Sequence, residues 1–375
     1  MVKTYRYWDA EFKRDPLYEI AAVQKGLLPR PTSSTRSKIE RTQVAQRIID
    51  AYSLTAKDHS KQNDLYKVSN EWVPIYEKPL TKLLDVLRQG DAEGLRDLLD
   101  NFFRNSISTG LIGMPVDMEK VYFKNAPSKL ALKRMLIDAV YRYRLLEKLL
   151  PNVTTRDLHI ENFGNPYGIW VGQDFVRSGS DYQYYYAHVA SSLVASNEQR
   201  SVVAELGGGI GGFAYYLNKI MPNNLAYINL DLPEILCISS YQLMNLFPEK
   251  KFLLYGDEPN INIDTIKRYD IALLPSFVIQ DLEDNSVDLF FNSYSLAEMD
   301  ESTIENYTKH ISRTTRQAIL HVNHVANALV GADKFQFDKN KFQIEYRKKA
   351  EWNLGRDLNC DEYEFLLKRR NEYQI

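Results

Sequence analysis

The stretch SVVAELGGGIGGFAYYL, residues 201–217, holds the residue types with the most evident chemical purpose. An apolar run ends in Glu205, and Gly207, Gly208, Gly209, Gly211 and Gly212 follow it closely. Glycine at that density lets a backbone turn tightly and admits a ligand against it. Gly207, Gly209 and Gly212 satisfy GxGxxG, the spacing of a dinucleotide loop between a strand and a helix. The same stretch fits acid-x-G-x-G-x-G through Glu205, Gly207, Gly209 and Gly211. A pyrophosphate at a helix N-terminus needs free amides and positive potential, which a carboxylate just before the first glycine opposes. A ligand carrying an ammonium or sulfonium group would be drawn to that carboxylate instead. No Gly-Lys-Ser/Thr follows, so a P-loop is excluded.

Further along, Asp231 closes the run LAYINLD. A carboxylate there can accept both hydroxyls of a ribose, or it can cap the helix that Pro233 and Glu234 begin. Two residues suited to acid–base work end later strand-like runs. Histidine side chains titrate near neutral pH, and His324 stands beside Asn323, which could orient substrate hydroxyls. Glu298 is the other, and it also suits the first turn of a helix starting near Asp300. The acids Glu298, Asp300 and Glu301 are close in sequence, but their spacing demands no metal site. His159, Glu161 and Asn162 form a smaller polar cluster, read here as tying down a loop.

Such residues need a scaffold, and the texture after residue 200 supplies one. Short apolar runs alternate with helical patterns, the signal of a parallel α/β sheet. Strands are expected at 202–206, 225–231, 251–257, 269–275, 287–296 and 318–324, with a late pair in FQIEYR and YEFLLKRR. Trp352 and Gly355 fall in the connection between that pair. Helices are expected at 212–220, 232–247 and 300–315. Before residue 195 the pattern is mainly helical, with segments at 36–52, 79–89, 91–103 and 182–195. From 128 to 150, Leu132, Leu136, Ala139, Tyr143, Leu146 and Leu150 mark one helical face. Residues 152–181, carrying ENFGNPYGIWVGQDF, read as an ordered loop or a short hairpin. The chain thus divides into a mainly helical region, 1–195, and an α/β domain, 196–375.

Composition narrows the function classes. With 375 residues, 44% of them hydrophobic, the chain can bury one large core or two smaller ones. A net charge of −2 offers no global basic field for nucleic acid. Two cysteines, Cys237 and Cys360, cannot build a disulfide framework and lack CxxC spacing. No apolar run is long enough to span a membrane, and the first residues lack a signal-peptide core. A soluble, cytoplasmic protein is expected, with room left for a homo-oligomer. The 25 tyrosines suit contacts with sugars or planar ligands as well as half-buried packing.

The combination ELGGGIGG, YINLDLPEIL and GD resembles the class I S-adenosylmethionine-dependent methyltransferases. With GNPYG and NSYSLAEM it resembles, over roughly residues 155–325, the sugar O-methyltransferases associated with surface-polysaccharide biosynthesis. The resemblance implies a Rossmann-like seven-stranded sheet with helices on both faces, preceded by a mainly helical domain that caps the substrate. It implies that Glu205, Gly207, Gly209 and Gly211 surround the methionine and ribose parts of S-adenosylmethionine, with S-adenosylhomocysteine as product. Asp231 would hold the ribose, and Asp257 would face the adenine edge, with LLPSF and its Ser276 as rival for that place. Asn292 would contact the cofactor, and Tyr182 and Tyr186 would cover it. Methyl transfer then needs an acceptor hydroxyl placed in line and a base to take its proton, for which His324 and Glu298 are the candidates. The acceptor would be a small molecule or glycan precursor. Three alternatives stay open: a non-sugar acceptor, a nicotinamide-dependent oxidoreductase, or a non-catalytic binding protein of this fold.

Overall fold

Capping chemistry and apolar periodicity set the helices that precede the sheet. The long helix Lys38–His59 starts at a capping box, in which the Ser37 hydroxyl accepts from the Glu40 amide and Glu40 answers at the Ser37 amide. Ala92–Leu99 starts at Asp91, whose carboxylate accepts from Gly94, and Lys129–Leu149 starts at Ser128. Leu132, Leu136 and Leu146 of that last helix are buried, as its spacing predicts, whereas Ala139, Tyr143 and Leu150 are half-buried and Ile137 and Val140 are buried beside them. The segment left between loop and hairpin is a hairpin: β1 (Gly168–Val171) pairs antiparallel with β2 (Asp174–Arg177). The helix Ser180–Val194 follows. The computed structural model describes residues 10, 12–68, 71–112, 128–194, 200–353 and 361–370. Gly355, Cys360 and the division at 195/196 lie outside them.

The apolar runs after residue 200 are strands, those before residue 294 buried on both faces, as a sheet covered by helices requires, and Phe342–Lys349 largely exposed. They are β3 (Ser201–Leu206), β4 (Leu225–Asp231), β5 (Phe252–Leu254), β6 (Ile271–Pro275), β7 (Val287–Ser293), β8 (Thr315–His324), β9 (Phe342–Lys349) and β10 (Glu362–Arg369). They form one eight-stranded sheet in the order β5-β6-β4-β3-β7-β8-β10-β9. The first six strands are parallel, and β10 runs antiparallel to both β8 and β9.

Eight strands rather than seven follow from the two runs that competed for third place, because both are strands. β6 is buried throughout and pairs with β4, register Asp231↔Pro275. The three-residue β5 is pushed outside it to the edge. There Arg47, from the long helix, donates to the Phe252 carbonyl (2.9 Å) and so covers an edge group that would otherwise face water.

Strand alternation splits the core into two layers. Val203, Tyr227, Leu273 and Phe291 face one way and pack with Ile48, Leu83, Leu95 and Phe102 of the preceding helices. Val202, Ala204, Ile228 and Phe290 face the other way, onto Ile304 and Ile311 of the helix Glu301–Thr314. The sheet order reverses at β3: connections run outward through β4 on one side and through β7 on the other. Open α/β sheets bind ligands at such a switch point, beyond the carboxyl ends of the strands.

Candidate active site

At that switch point lies a cavity of about 840 Å³, within the range of small-molecule sites. Its floor is the turn after β3. Gly207 and Gly209 adopt left-handed backbone, φ 74° and 55°. A methyl group on Gly207 would meet the Ser295 hydroxyl at 2.4 Å, whereas one on Gly209 would meet only Leu111, at 3.8 Å. Gly207 therefore serves close packing of the turn, and Gly209 keeps open the surface it shows to the cavity. Gly208 and Gly209 donate their amides to Asn229 (3.1 Å) and to Asp231 (2.9 Å), which fastens the turn to β4.

Glu205 and Asp231 both line the cavity and are 3% and 7% exposed. Burial pushes the Glu205 carboxyl up to about 8, against a hydrogen bond from the Tyr227 hydroxyl that favours the charged form. Burial likewise pushes Asp231 up to about 7, although the Gly209 and Leu232 amides pull the other way. Two acids that resist ionisation in one cavity are poised for a ligand that supplies positive charge and hydroxyl donors. Asp231 does not cap the next helix: the N-cap position is Leu232, without a side-chain bond.

The far wall carries the acid–base groups. His324 ends β8 and its Nδ1 lies 2.9 Å from Asp361 Oδ1. Burial alone would raise the Asp361 carboxyl, but the Asn327 and Ala326 amides and the His324 ring hold it well below the usual range. As a carboxylate it only accepts, so Nδ1 carries a proton and donates to it. Tyr294, at φ 66° in a region bulky residues avoid, sets its ring 5.5 Å from the His324 ring. Glu298, in the short turn Ser295–Glu298, accepts from Trp72 Nε1 at 2.8 Å, and burial raises its carboxyl. Tyr182, Tyr186 and Ser276 also line the cavity.

Four expected site residues stand elsewhere. Asp257 follows the displaced edge strand, pairs with Arg47 (2.8 Å) and accepts from the Leu254 amide. It is absent from the cavity wall, whereas Ser276, after the inner strand β6, is on it. Asn292 donates to the Leu206 carbonyl (2.9 Å) and to Ser295, and accepts from Asn323. Asn323 in turn accepts from the Ala297 amide (3.2 Å). The two asparagines bind strand ends together beneath the floor, which uses up the groups a ligand would need. Gly211, at φ 77°, occupies the N-cap of the helix Gly212–Ile220 and is likewise absent from the wall. Asp300 caps its helix through the Thr303 amide. His159 accepts from the Phe175 amide (2.9 Å), and Asn162 donates to the Pro31 carbonyl (2.7 Å), so both fasten loops away from the cavity.

Several cavity residues carry no local sequence signal. Trp72, Leu111 and Ile112 come from the helical region, Arg142 from the helix Lys129–Leu149, and Arg177 from the hairpin. Asp361 meets His324 only because β10 pairs with β8 in the register Glu362↔His324. Trp72 and Trp352 were open to suspicion on rarity alone, since the chain has only four tryptophans.

No protein-family model matches the chain, and no curated protein does. Solved structures similar to it include an S-adenosylmethionine-dependent methyltransferase from Aquifex aeolicus, at 12% identity and TM-score 0.33, covering 51% of this chain and 92% of that one. The mitomycin 7-O-methyltransferase MmcR is similar at 11% identity and TM-score 0.33, covering 52% of this chain and 56% of that one. Phosphoethanolamine N-methyltransferase 1 of Haemonchus contortus, solved with phosphoethanolamine and S-adenosylhomocysteine, is similar at 10% identity and TM-score 0.35, covering 64% and 51%. Likeness at this level assigns no chemistry, which rests on the residues of the cavity itself.

Proposed function

We propose that this chain is an S-adenosylmethionine-dependent O-methyltransferase acting on a hydroxyl of a sugar or glycan intermediate. The observation that carries the cofactor is the pair Glu205 and Asp231, buried at the ends of adjacent strands on either side of the glycine turn. The residues fit the group. Asp231 would take the ribose hydroxyls, Gly209 presents an unobstructed backbone, and Glu205 offers a carboxylate to a cation. Ser276 stands where the adenine edge would lie. When bound, the cofactor supplies a methyl group on a sulfonium, open to in-line attack by an oxygen.

The protein's own part is positioning and proton removal. His324 Nε2 accepts the proton of the acceptor hydroxyl, and Asp361 fixes the tautomer and steadies the imidazolium that results. Glu298, held by Trp72, is a contact for the acceptor. Leu111, Ile112 and Trp72 give that wall of the cavity an apolar lining. A base of this kind suits a hydroxyl, whose oxygen is a poor nucleophile until its proton begins to leave. The sugar acceptor is supported by the resemblance of NSYSLAEM and GNPYG. Residues 1–195 would cap the substrate over a methyltransferase domain, 196–375, in a cytoplasmic protein.

Calorimetry with S-adenosylhomocysteine and with NAD tests the cofactor: NAD binding without S-adenosylhomocysteine binding would overturn the reading. A methyl-transfer screen of nucleotide sugars against small phenols, acids and amines tests the acceptor. Turnover only with the second set would replace the sugar by a non-sugar acceptor.

A further inference from the structure

Tyr294, the first residue past β7, stands at φ 66° and ψ −36°. Among the described residues two other non-glycine residues have positive φ, Asn165 and Asn285. Asparagine visits that region at small cost, whereas a bulky side chain is crowded against its own backbone there. Such a residue keeps the conformation only where its surroundings fix it. Here they do: the Tyr294 amide donates to the Val322 carbonyl (2.9 Å), and its carbonyl accepts from the Ala297 amide (3.0 Å).

The turn by itself does not call for a tyrosine. It brings Ser295 back beneath the glycine turn, where the Ser295 hydroxyl donates to the Leu206 carbonyl at 3.0 Å. Glycine at 294 would make the same turn without strain. What glycine could not supply is the ring, which stands in the cavity wall. Its centroid lies 5.5 Å from that of the His324 ring, with the two planes at 44°. The Tyr294 hydroxyl is buried, within electrostatic reach of Arg142 and Tyr186, so the ring is the part that meets the imidazole. Asp361 holds that imidazole at Nδ1 (2.9 Å). A bond along one edge leaves the imidazole free to tilt about it, and a contact on its face removes that freedom.

We propose that Tyr294 is a positioning residue for His324: the strained turn sets its ring against the imidazole and, with Asp361, holds the imidazole in one orientation at the cavity. The proposal rests on the reading of His324 as the base.

Nuclear magnetic resonance on the full chain, with nitrogen-labelled histidine, tests it. The Nδ1 proton shared with Asp361 should resonate far downfield, identified by its loss in Asp361→Asn. The His324 ring protons should show cross-relaxation with the Tyr294 ring. Tyr294→Phe should keep the downfield proton as the wild type does, and Tyr294→Leu should make it exchange with water about three- to tenfold faster. Wild-type exchange in Tyr294→Leu would overturn the proposal, and so would faster exchange in Tyr294→Phe. Tyr294→Gly should melt about 1–3 °C above Tyr294→Ala, and the opposite order would remove the strain from which the proposal starts. Should the variants fail to fold, the wild type still decides, because missing cross-relaxation refutes the ring contact. In methyl transfer, Tyr294→Leu should lose about three- to tenfold in kcat and keep its affinity for S-adenosylhomocysteine. An equal loss of both would mark Tyr294 as structural and overturn the proposal. Faster exchange with an unchanged kcat would instead bring down His324 as the base and leave its coupling to Tyr294 standing.

Discussion

Replacing Glu205 by Gln should make the protein more stable at alkaline pH, at the expense of its ligand. The Glu205 carboxyl titrates at about 8 in the folded chain, against an ordinary 4.5, chiefly because it is buried. Between those two values the folded chain binds a proton that the unfolded chain has released. The contribution to stability is whole below pH 4.5, falls by about 1.36 kcal/mol per pH unit across the window, and is level above about 8. The full loss is roughly 5 kcal/mol. Gln keeps the shape and an oxygen for the Tyr227 hydroxyl, and it cannot ionise. At about 2.1 cal/mol/K per residue, 375 residues give an unfolding entropy near 0.8 kcal/mol/K, so each kcal/mol moves the midpoint by about 1.3 °C. Thermal unfolding without cofactor should show Glu205→Gln matching the wild type near pH 5 and exceeding it by about 3–6 °C at pH 9. Asp231 is raised in the same direction and remains in the variant, so a shallower decline persists in both. Parallel curves from pH 5 to 9, with no widening gap, would refute the assignment of a strained buried acid at this position.

The same ionisation governs the ligand: wild-type affinity for S-adenosylhomocysteine should rise by up to tenfold per pH unit towards pH 8, and Glu205→Gln should flatten that profile in calorimetry. Asp231→Ala should weaken S-adenosylhomocysteine by about thirty- to a hundred-fold through the lost charged hydrogen bonds, and unchanged affinity would remove its ribose role. His324→Gln should lower kcat by about a hundred-fold or more with little change in cofactor Kd. Asp361→Asn should lower kcat less and alter its pH profile, whereas a matching loss of cofactor affinity in either variant would mark the pair as structural. Gly207→Ala should lower the melting midpoint by several degrees, because it adds left-handed strain to a clash with Ser295, and a normal midpoint would contradict the packing described for the turn.

What could be read beforehand was local. Glu205, its glycines and Asp231 sit within one β-turn-helix-β unit, so their order along the chain carries their order in space. The late pair of strands was legible for the same reason, from short apolar runs bounded by turn formers, whereas residues 152–181 left a loop and a short hairpin both open. The rank of two similar runs was not legible. FLL and IALLP have equal strand character, and only the sheet decides that IALLP lies inside, which takes Asp257 off the site and puts Ser276 on it. Asn292 and Asn323 show a different failure. A polar residue at a strand end can face a ligand or close a neighbour's backbone, and the choice depends on Leu206, Ser295 and Ala297, which arrive from other strands and turns. Asp361 and Trp72 meet their partners His324 and Glu298 across 37 and 226 residues. No spacing rule reaches that far.

The helices before the sheet explain why these charges are strained at all. Glu205 and Asp231 end strands whose carboxyl edge would open to water in an uncovered sheet, and water would return both acids to their ordinary range. Tyr52 and Tyr76 reach from the helical region to the Glu234 carboxylate, at 3.1 and 2.7 Å, while Trp72 reaches to Glu298. These bonds seat the cover over the acids and remove the solvent. The cover therefore does more than exclude water from a reaction. It makes each unmatched charge unfavourable in the protein alone, so that a ligand bearing the opposite charge in the right place recovers free energy that a neutral ligand of the same shape cannot. Selectivity for a ligand of matching charge and reduced stability without one are then two consequences of one arrangement, and a substitution that relieves the strain should weaken the selectivity with it.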